Sequence, residues 1–437
     1  MKAADAMDAA ALVQPHQVHR SIYTSATVFE LERQRLWARA WLFVGHDSQV
    51  PQAGDFITTE LNGQSLLMLR REDGAIALLH NRCAHKGAPL ATAPSGHAGR
   101  FLRCAYHGWS YRLDGSLLGV PLKSGYDADY FAGCPAQAGL TPYGEVALHR
   151  GFVFARQRSG GPSFADSMGE LLPALDLLAD RSPVGRLQLA GGVLRTVFHA
   201  NWKLYLENVN DAFHPVTTHA SVTQSAQTVW GTPPESTPVP LALKQLLPFA
   251  SGYSFFEQMG ARVLPHGHSV LGTQASLHSS TSGNSADGDY AQALSAAHGA
   301  ARAQAVLAFA PQNVVFYPSM ALKGVPQVLR VLRPQSADRT LLEAWAFQPE
   351  GAPAALLHSA LLYNRQVFSP LSMLAHDDLH LFENMQRCLA GDGNPWVSLH
   401  RGARDGQDAA APRDVSGIDE AVLRNQYRAW ADAMAAP

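Results

Sequence analysis

The chain has 437 residues, of which 46% are hydrophobic, and its formal net charge is −2. This size and composition are typical of a globular protein of two or three domains, and the near-neutral charge excludes the basic excess expected of a nucleic-acid-binding protein. The sequence contains neither an export signal nor an apolar run of about 18 residues that predicts a membrane span. Four cysteines are too few for a disulfide framework, so we expect a cytoplasmic protein.

Three regions with different residue patterns follow one another along the chain. Residues 1–40 contain a helical pattern that begins at a capping serine, Ser25, and we expect this segment to pack on the larger region 156–437. Residues 41–155 consist of short apolar runs separated by Asn-Gly and Asp-Gly turns, which predict a small antiparallel β domain. A linker is predicted at 156–165, within the larger region 156–437.

The region 156–437 has longer apolar strands mixed with alanine-rich helical segments. This mixture predicts a large antiparallel sheet covered by helices. The fold class of the whole chain is therefore α+β, with an all-β domain before a larger α+β domain.

The β domain contains two cysteine–histidine pairs separated by 18 residues. The pairs have the spacing Cys-x-His and Cys-x-x-His, and they are Cys83, His85, Cys104 and His107. Two sulfur and two nitrogen ligands suit either a zinc ion or a [2Fe–2S] cluster. Each pair is followed by a glycine, Gly87 or Gly108, as expected where a backbone folds closely around a cluster. Zinc remains the alternative.

The other two cysteines have no histidine close to them in the sequence. We therefore expect Cys134 and Cys388 to be buried residues without a functional role.

A second group of polar residues lies in the segment NVNDAFHPVTTHAS, residues 208–221. On a continuous helix, Glu207, Asp211 and His214 would share one face, whereas His219 would point elsewhere. Pro215 is predicted to break the helix and so to allow His219 to turn back towards His214. The alternative is a helix end rich in polar residues that only cap the backbone.

A third ligand is available in the helical segment 374–389, which contains Asp377 and Asp378. Two histidines and one carboxylate on one side of an iron form the site of non-haem Fe(II) oxygenases. The two histidines near residue 214 and one of these aspartates are therefore candidate iron ligands.

These motifs together resemble the catalytic α subunits of Rieske non-haem iron aromatic ring-hydroxylating oxygenases over nearly the full chain. The similar segments are HKG and YHGW beside the first pairs, and NWKLYLENVNDAFHPVTTH for the second group. The chain departs from the usual pattern at Lys86, where the family often has arginine, and at Ala105, where it often has proline. The gap between the two pairs is also slightly longer.

The resemblance implies a role for each matching residue. The four cysteine and histidine residues of the β domain would hold a Rieske [2Fe–2S] cluster, and His214, His219 and Asp378 would hold a mononuclear Fe(II). Asp378 is preferred to Asp377 because Glu383 and Gln386 set the register of the family's segment. Asp211 matches the acid that links a cluster histidine of one subunit to the iron site of the next.

The resemblance also implies the reaction and the partners. The chain would be the terminal oxygenase component that receives electrons from a reductase or ferredoxin and uses O2 to hydroxylate an aromatic ring. A trimer is implied, with or without a small β subunit. The sequence lacks a glycine-rich nicotinamide-binding motif of its own. The alternatives are a monooxygenase or demethylase of non-carboxylate or non-aromatic substrates, an electron carrier and a zinc-binding protein.

The substrate is predicted from one charged residue of the larger domain. The candidate pocket residues are Val222, Val315, Tyr317 and Arg330. An arginine that points into an apolar pocket can bind a carboxylate through two hydrogen bonds. Alternation along QVLRVLRP leaves open whether Arg330 points inwards or to solvent. An aromatic carboxylate is the expected substrate.

Overall fold

The computed structural model describes residues 9–127, 130–133, 138–230, 238–273, 288–324, 326–404 and 412–435. Contacts between Cα atoms group Ala38–Phe164 into one compact unit. The residues on either side of this unit in the sequence form a second, larger unit.

The smaller unit is built from antiparallel strands. They form three sheets of three or four strands. The strands are Leu42–His46, Asp55–Leu61, Gln64–Arg70, Ile76–His80, Ser95–His97, Phe101–Arg103, Ser110–Arg112, Leu117–Gly119, Glu145–His149 and Phe152–Arg156. The predicted all-β N-terminal domain is confirmed.

The larger unit contains an eight-stranded antiparallel sheet. In spatial order its strands are Leu187–Phe198, Arg339–Pro349, Val328–Ser336, Met320–Lys323, Asn313–Phe316, Ser269–Leu271, Ala261–Val263 and Arg413–Val415. A separate small sheet consists of Val13–Gln14, Gln17–His19 and Trp396–Ser398. The predicted α+β fold is confirmed.

Helices accompany this sheet in the larger unit. Those of seven or more residues are Ala26–Glu32, Leu172–Ala179, Trp202–Val209, Ala220–Trp230, Tyr253–Met259, Gly288–His298, Ala300–Ala308, Ala354–Tyr363, Met373–Ala390 and Ala421–Ala435. Shorter helices are Ser21–Thr24, Pro215–Thr218 and Leu241–Leu246. In the smaller unit, Tyr130–Gly133 and Phe164–Met168, which crosses the boundary, are also short. Within the described ranges, every helix is too short or too polar to cross a bilayer.

The helix Ala26–Glu32 begins where the sequence predicts it to begin. The Ser25 hydroxyl accepts a hydrogen bond from the backbone N–H of Val28 at 3.3 Å, which satisfies one of the free donors of the first turn. At the other end of the helix, the Glu32 side chain is fully buried.

Glu32 is the acceptor at the centre of a buried polar group. Its carboxylate accepts hydrogen bonds from the indole nitrogens of Trp202 at 2.9 Å and Trp430 at 2.7 Å, and it forms an ion pair with Lys203. The three partners lie on two different helices, Trp202–Val209 and Ala421–Ala435. This carboxylate therefore joins the N-terminal helix, the helix that precedes residue 210 and the C-terminal helix.

We expect Glu32→Gln to destabilise the larger unit by about 3–5 kcal/mol, because the buried ammonium of Lys203 would lose its counter-charge. Denaturant unfolding followed by tryptophan fluorescence measures this loss. Glu30→Gln in the same helix is the control, since Glu30 pairs with Arg33 at the surface and its replacement should cost less than about 0.5 kcal/mol. Equal losses for the two variants would contradict the central position of Glu32.

Candidate functional site

The two cysteine–histidine pairs of the smaller unit lie on two loops with the same backbone conformation. In the first loop, Gly87 N–H donates to the carbonyl of Cys83 at 2.9 Å, and in the second Gly108 N–H donates to that of Cys104 at 3.1 Å. Both glycines have a positive φ, of 76° and 72°, a conformation that side chains other than glycine rarely adopt. The glycines predicted to allow a close turn therefore do so.

The pairs divide into buried sulfurs and outward rings. Cys83 and Cys104 are buried, His85 is half-buried and His107 is exposed. The two imidazole rings lie 4.7 Å apart between centroids, and His85 stacks on the Trp109 ring at 4.9 Å. The two loops thus bring the four predicted ligands together, with the histidines towards solvent.

One further side chain contacts a cysteine sulfur. The Tyr111 hydroxyl lies 3.0 Å from the sulfur of Cys83 and accepts a hydrogen bond from the backbone N–H of Ala84 at 3.1 Å. Burial, followed by the contact with Cys83, raises the pKa of Tyr111, so its hydroxyl keeps its proton and can donate to the sulfur. Tyr111 lies on the strand Ser110–Arg112 and was not among the predicted site residues.

Two sulfur and two imidazole donors suit either a zinc ion or a [2Fe–2S] cluster. In such a cluster the donors divide by type, with the cysteines on one iron and the histidines on the other. The separation of buried sulfurs from outward rings fits that arrangement.

The second group does not lie on one continuous helix. The helix Trp202–Val209 ends before Asp211, so the predicted shared helical face of Glu207, Asp211 and His214 is wrong. The Asp211 carboxylate accepts a hydrogen bond from the backbone N–H of Phe213 at 2.7 Å, a local turn that competes with helix formation.

The chain becomes helical again at Pro215, the first residue of Pro215–Thr218, where proline loses no hydrogen bond. His214 stands before this short helix and His219 directly after it. The break lies upstream of the proline, which starts the new helix rather than ending the old one.

Three predicted ligands meet at one point. The Nε2 atoms of His219 and His214 lie 3.5 Å and 3.9 Å from the Oδ1 atom of Asp378. Their ligand atoms all fall within 4.8 Å of one another. This is the donor set of two imidazoles and one carboxylate that binds non-haem Fe(II).

Each histidine presents its other ring nitrogen to a second carboxylate. Asp211 Oδ2 lies 3.5 Å from Nδ1 of His214, and Asp377 Oδ2 lies 3.4 Å from Nδ1 of His219. Metal-binding histidines commonly donate their second N–H to such a group, which sets the tautomer and the ring orientation. Both histidines are therefore arranged to bind a metal through Nε2, and the residues present fit an iron ion.

Two other residues at this position were not predicted as site residues. The Asn208 amide donates to Asp378 Oδ1 at 3.1 Å and lies 3.0 Å from Nε2 of His214. The Arg401 guanidinium lies 3.5 Å from the carboxylate of Asp211 and over the Phe213 ring. Asn208 lies within the motif itself, but Arg401 is distant in sequence and has no motif around it.

Burial changes the protonation equilibria of the group. Burial raises the pKa of Asp378, although both histidines and Asn208 oppose this change, and burial lowers the pKa of His219. At Asp211, burial favours a higher pKa, but the hydrogen bond and charge of His214 and the charge of Arg401 produce a net decrease. A positive ion at this point would favour the ionised Asp378 and neutral His219 that it needs as ligands.

A cavity opens beside the three ligands. It is lined by His214, His219 and Asp378, by aromatic residues, and by Lys323 and Arg330. A cavity that combines apolar walls with a few polar groups beside a candidate metal site is the candidate binding site for a small molecule.

Of the four residues predicted to form the pocket, Arg330 lines this cavity, and its side chain is 5% exposed. The other three are not among the lining residues. Val222 is buried in a core cluster with Phe249, and Tyr317 packs near Trp202. The prediction for Val315, which is fully buried, is also wrong.

Of the two remaining cysteines, Cys388 does not contribute to either group. Cys388 is exposed, contrary to the prediction, because it lies on the outer side of the amphipathic helix Met373–Ala390. Cys134 lies outside the described residues.

The chain matches the sequence profiles of two families. Residues 40–130 match the Rieske [2Fe-2S] domain. Residues 182–436, more than half of the chain, match the ring hydroxylating alpha subunit (catalytic domain).

The chain is also similar to characterised proteins over almost its whole length. It is 27% identical to the toluate 1,2-dioxygenase subunit alpha of Pseudomonas putida, covering 96% of this chain and 91% of the relative. It is 26% identical to the anthranilate 1,2-dioxygenase large subunit of Acinetobacter baylyi, covering 95% and 88%. The similarity therefore includes both units.

Solved structures share the fold. A naphthalene 1,2-dioxygenase variant bound to phenanthrene has a TM-score of 0.76 at 22% identity, covering 97% of this chain and 94% of that one. A quaternary ammonium Rieske monooxygenase in complex with L-carnitine has a TM-score of 0.67 at 19% identity, covering 96% and 97%. At these identities the likeness concerns the fold alone.

Replacing the two neighbouring aspartates tests the ligand assignment. We expect Asp378→Ala to lose the mononuclear iron, because it removes a ligand. Asp377→Ala should weaken iron affinity about 10–100-fold, because it removes the carboxylate that orients His219. Iron per chain is measured against a competing chelator, with the visible spectrum of the cluster as an internal reference.

Asp392→Ala, at a fully exposed position, is the control and should retain its iron. Loss of iron in Asp377→Ala but not in Asp378→Ala would reverse the assignment.

Proposed function

Because this chain belongs to the ring-hydroxylating oxygenase α subunits and carries their Rieske [2Fe-2S] domain, we propose that it hydroxylates an aromatic carboxylate. It is an oxidoreductase and the terminal oxygenase component of its system. The substrate class within that activity is inferred from the cavity beside His214, His219 and Asp378.

The cofactors of this family are the Rieske cluster and a mononuclear iron, which supply one-electron transfer and the activation of O2. We assign the cluster ligands to Cys83, Cys104, His85 and His107. We assign the iron ligands to His214, His219 and Asp378. The contacts of Asp211 and Asp377 with the two histidines hold the rings in the orientation that binding requires.

The substrate proposal rests on one observation, the buried guanidinium of Arg330 in the cavity wall. Its Nη2 atom donates to Asn313 Oδ1, and its Nε atom is buried without a hydrogen-bond partner. No carboxylate of the described residues forms an ion pair with it. A buried cation that lacks a counter-charge favours an anionic ligand, and a guanidinium matches the geometry of a carboxylate.

The surroundings of Arg330 suit an aromatic ring. The guanidinium carbon lies 4.8 Å from the centroid of Phe368, whose ring is 5.5 Å from that of Tyr363. Both rings line the cavity. A substrate ring that contacts these side chains, with its carboxylate at Arg330, would lie between the cationic wall and the iron ligands. Relatives named for toluate, anthranilate and 2-halobenzoate support this class of substrate.

We also propose that the chain receives its electrons from another protein and acts as an oligomer. A separate reductase, or a ferredoxin, supplies electrons, because this chain has no nicotinamide-binding motif. We propose a trimer, with or without a β subunit, in which Asp211 links the iron site to a cluster histidine of the neighbouring subunit. The Asp211 side chain is 23% exposed, so it can be reached by another chain.

The substrate is tested by oxygen uptake with a competent reductase, supplying benzoate, toluate, naphthalene and an N-methyl phenylurea. We expect the acids to be consumed and to incorporate label from ¹⁸O2. Arg330→Met should raise KM for the acids about 10–100-fold, because it removes a charge-assisted hydrogen bond.

Arg333→Met is the matched control. Arg333 lies on the same strand but on its other face, where it pairs with Glu343 at 3.3 Å, so KM should stay within about twofold of the wild-type value. Oxidation of naphthalene or the phenylurea but not of the acids would refute the proposed substrate class. An unchanged KM in Arg330→Met would refute the role of Arg330.

Asp211→Ala tests the proposed bridge between subunits. We expect both metals to remain bound and the spectrum of the cluster to stay near normal, while turnover is nearly abolished. The diagnostic measurement is the rate at which the reduced cluster is reoxidised in the presence of substrate and O2, which should fall with turnover. Normal turnover in this variant would exclude the bridge.

A further inference from the structure

A second cation, Lys323, lies beside Arg330 in the same wall. Lys323 is paired with Val328 across two neighbouring strands, and Ala321 is paired with Arg330. Because side chains alternate between the two faces of a sheet, Lys323 and Arg330 are diagonal neighbours on one face, with Cα atoms about 7–8 Å apart. Both side chains line the cavity.

Lys323 is buried without a counter-charge. Its side chain is 2% exposed, and its Nζ atom lies 5.8 Å from the centroid of the Tyr363 ring. Within the described ranges, it forms no ion pair with a carboxylate. Burial, and then the positive charge of Arg330, hold the pKa of the Lys323 amine well below its usual range.

Lys203 shows how this chain neutralises a lysine that is needed only for structure. Lys203 is 3% exposed and forms an ion pair with Glu32, in addition to hydrogen bonds with the carbonyl of Ile22 and the side chain of Asn201. Lys323 is buried to the same degree, but no acid of the described residues pairs with it. The difference leaves room for a bound ligand to supply the negative charge.

A single carboxylate can pair with Arg330 but leaves the Lys323 amine without a negative partner. A second carboxylate beside Lys323 would stabilise the protonated amine, which burial and the neighbouring guanidinium otherwise disfavour. Directly across the neighbouring strands, Arg330 is flanked by Ala321 and Ala344, whose side chains are small.

We propose that Lys323 is a second anion-binding residue and that the preferred substrates are aromatic dicarboxylates, with one carboxylate at Arg330 and the other at Lys323. This inference rests on the proposed function, and it narrows the substrate from any aromatic acid to a dianion. Lys323 acts in binding and in specificity.

Equilibrium binding by calorimetry tests the inference. The probes are benzoate and the three isomers of benzenedicarboxylate, added to the metal-loaded enzyme without a reductant. We expect at least one dicarboxylate to bind the wild type about 10–100-fold more tightly than benzoate, as one additional charge-assisted contact provides. Lys323→Met should abolish this preference, because it should weaken binding of the dicarboxylate far more than binding of benzoate.

Lys323→Arg and Lys244→Met are the matched controls. Lys323→Arg keeps the charge and should retain a preference for the dicarboxylate. Lys244→Met removes a lysine that does not line the cavity and should bind every probe like the wild type. A wild type that binds benzoate as tightly as every dicarboxylate, or a Lys323→Met variant that keeps the preference, would overturn the inference.

The results that would refute the role of Lys323 can be distinguished from those that would refute the proposed function. If the wild type binds benzoate but shows no preference for dicarboxylates, an aromatic carboxylate remains the substrate and only the role of Lys323 is refuted. If the wild type binds naphthalene but none of the acids, both proposals are refuted together.

Discussion

The buried carboxylate of Glu32 anchors the helix that leads to the proposed iron site. It holds the indole of Trp202 and the ammonium of Lys203, two adjacent residues at the start of the helix Trp202–Val209. That helix ends just before the turn that carries His214. The contacts with Glu32 fix the first turn of this helix. Its last turn can therefore hold the Asn208 amide within hydrogen-bonding distance of His214 and Asp378. The segment NWK, residues 201–203, therefore anchors the helix that leads to the site.

The cavity wall carries both acidic and basic side chains. Asp211 and Asp378 lie beside the two histidines, whereas Lys323 and Arg330 have no carboxylate partner among the described residues. A molecule with an anionic group would be attracted to the basic side chains and repelled by the carboxylates. This difference in charge would therefore help to orient a bound acid.

Much of the fold and of the ligand set follows from local sequence signals. Glycine after each cysteine–histidine pair, alternating apolar residues and Asn-Gly turns act within a few residues, and the structure agrees with them. The helix prediction around Asp211 failed for a related reason. A spacing of four and seven residues identifies a helical face only if the helix continues, and the hydrogen bond of the Asp211 carboxylate to the local backbone ends it.

The sequence by itself determined which residue types could form the two metal sites, because ligand spacing on a turn is a local property. The residues alone left Asp377 and Asp378 as equal candidates, and the resemblance favoured Asp378. The tertiary structure shows Asp378 beside Nε2 of His219 and Asp377 beside Nδ1 of the same ring, because the contacts depend on how one helix is rotated against another. It also decided that Arg330 points inwards, beside a second buried cation. Alternation defines two faces of a strand, but only the packing of other elements determines which of them is enclosed.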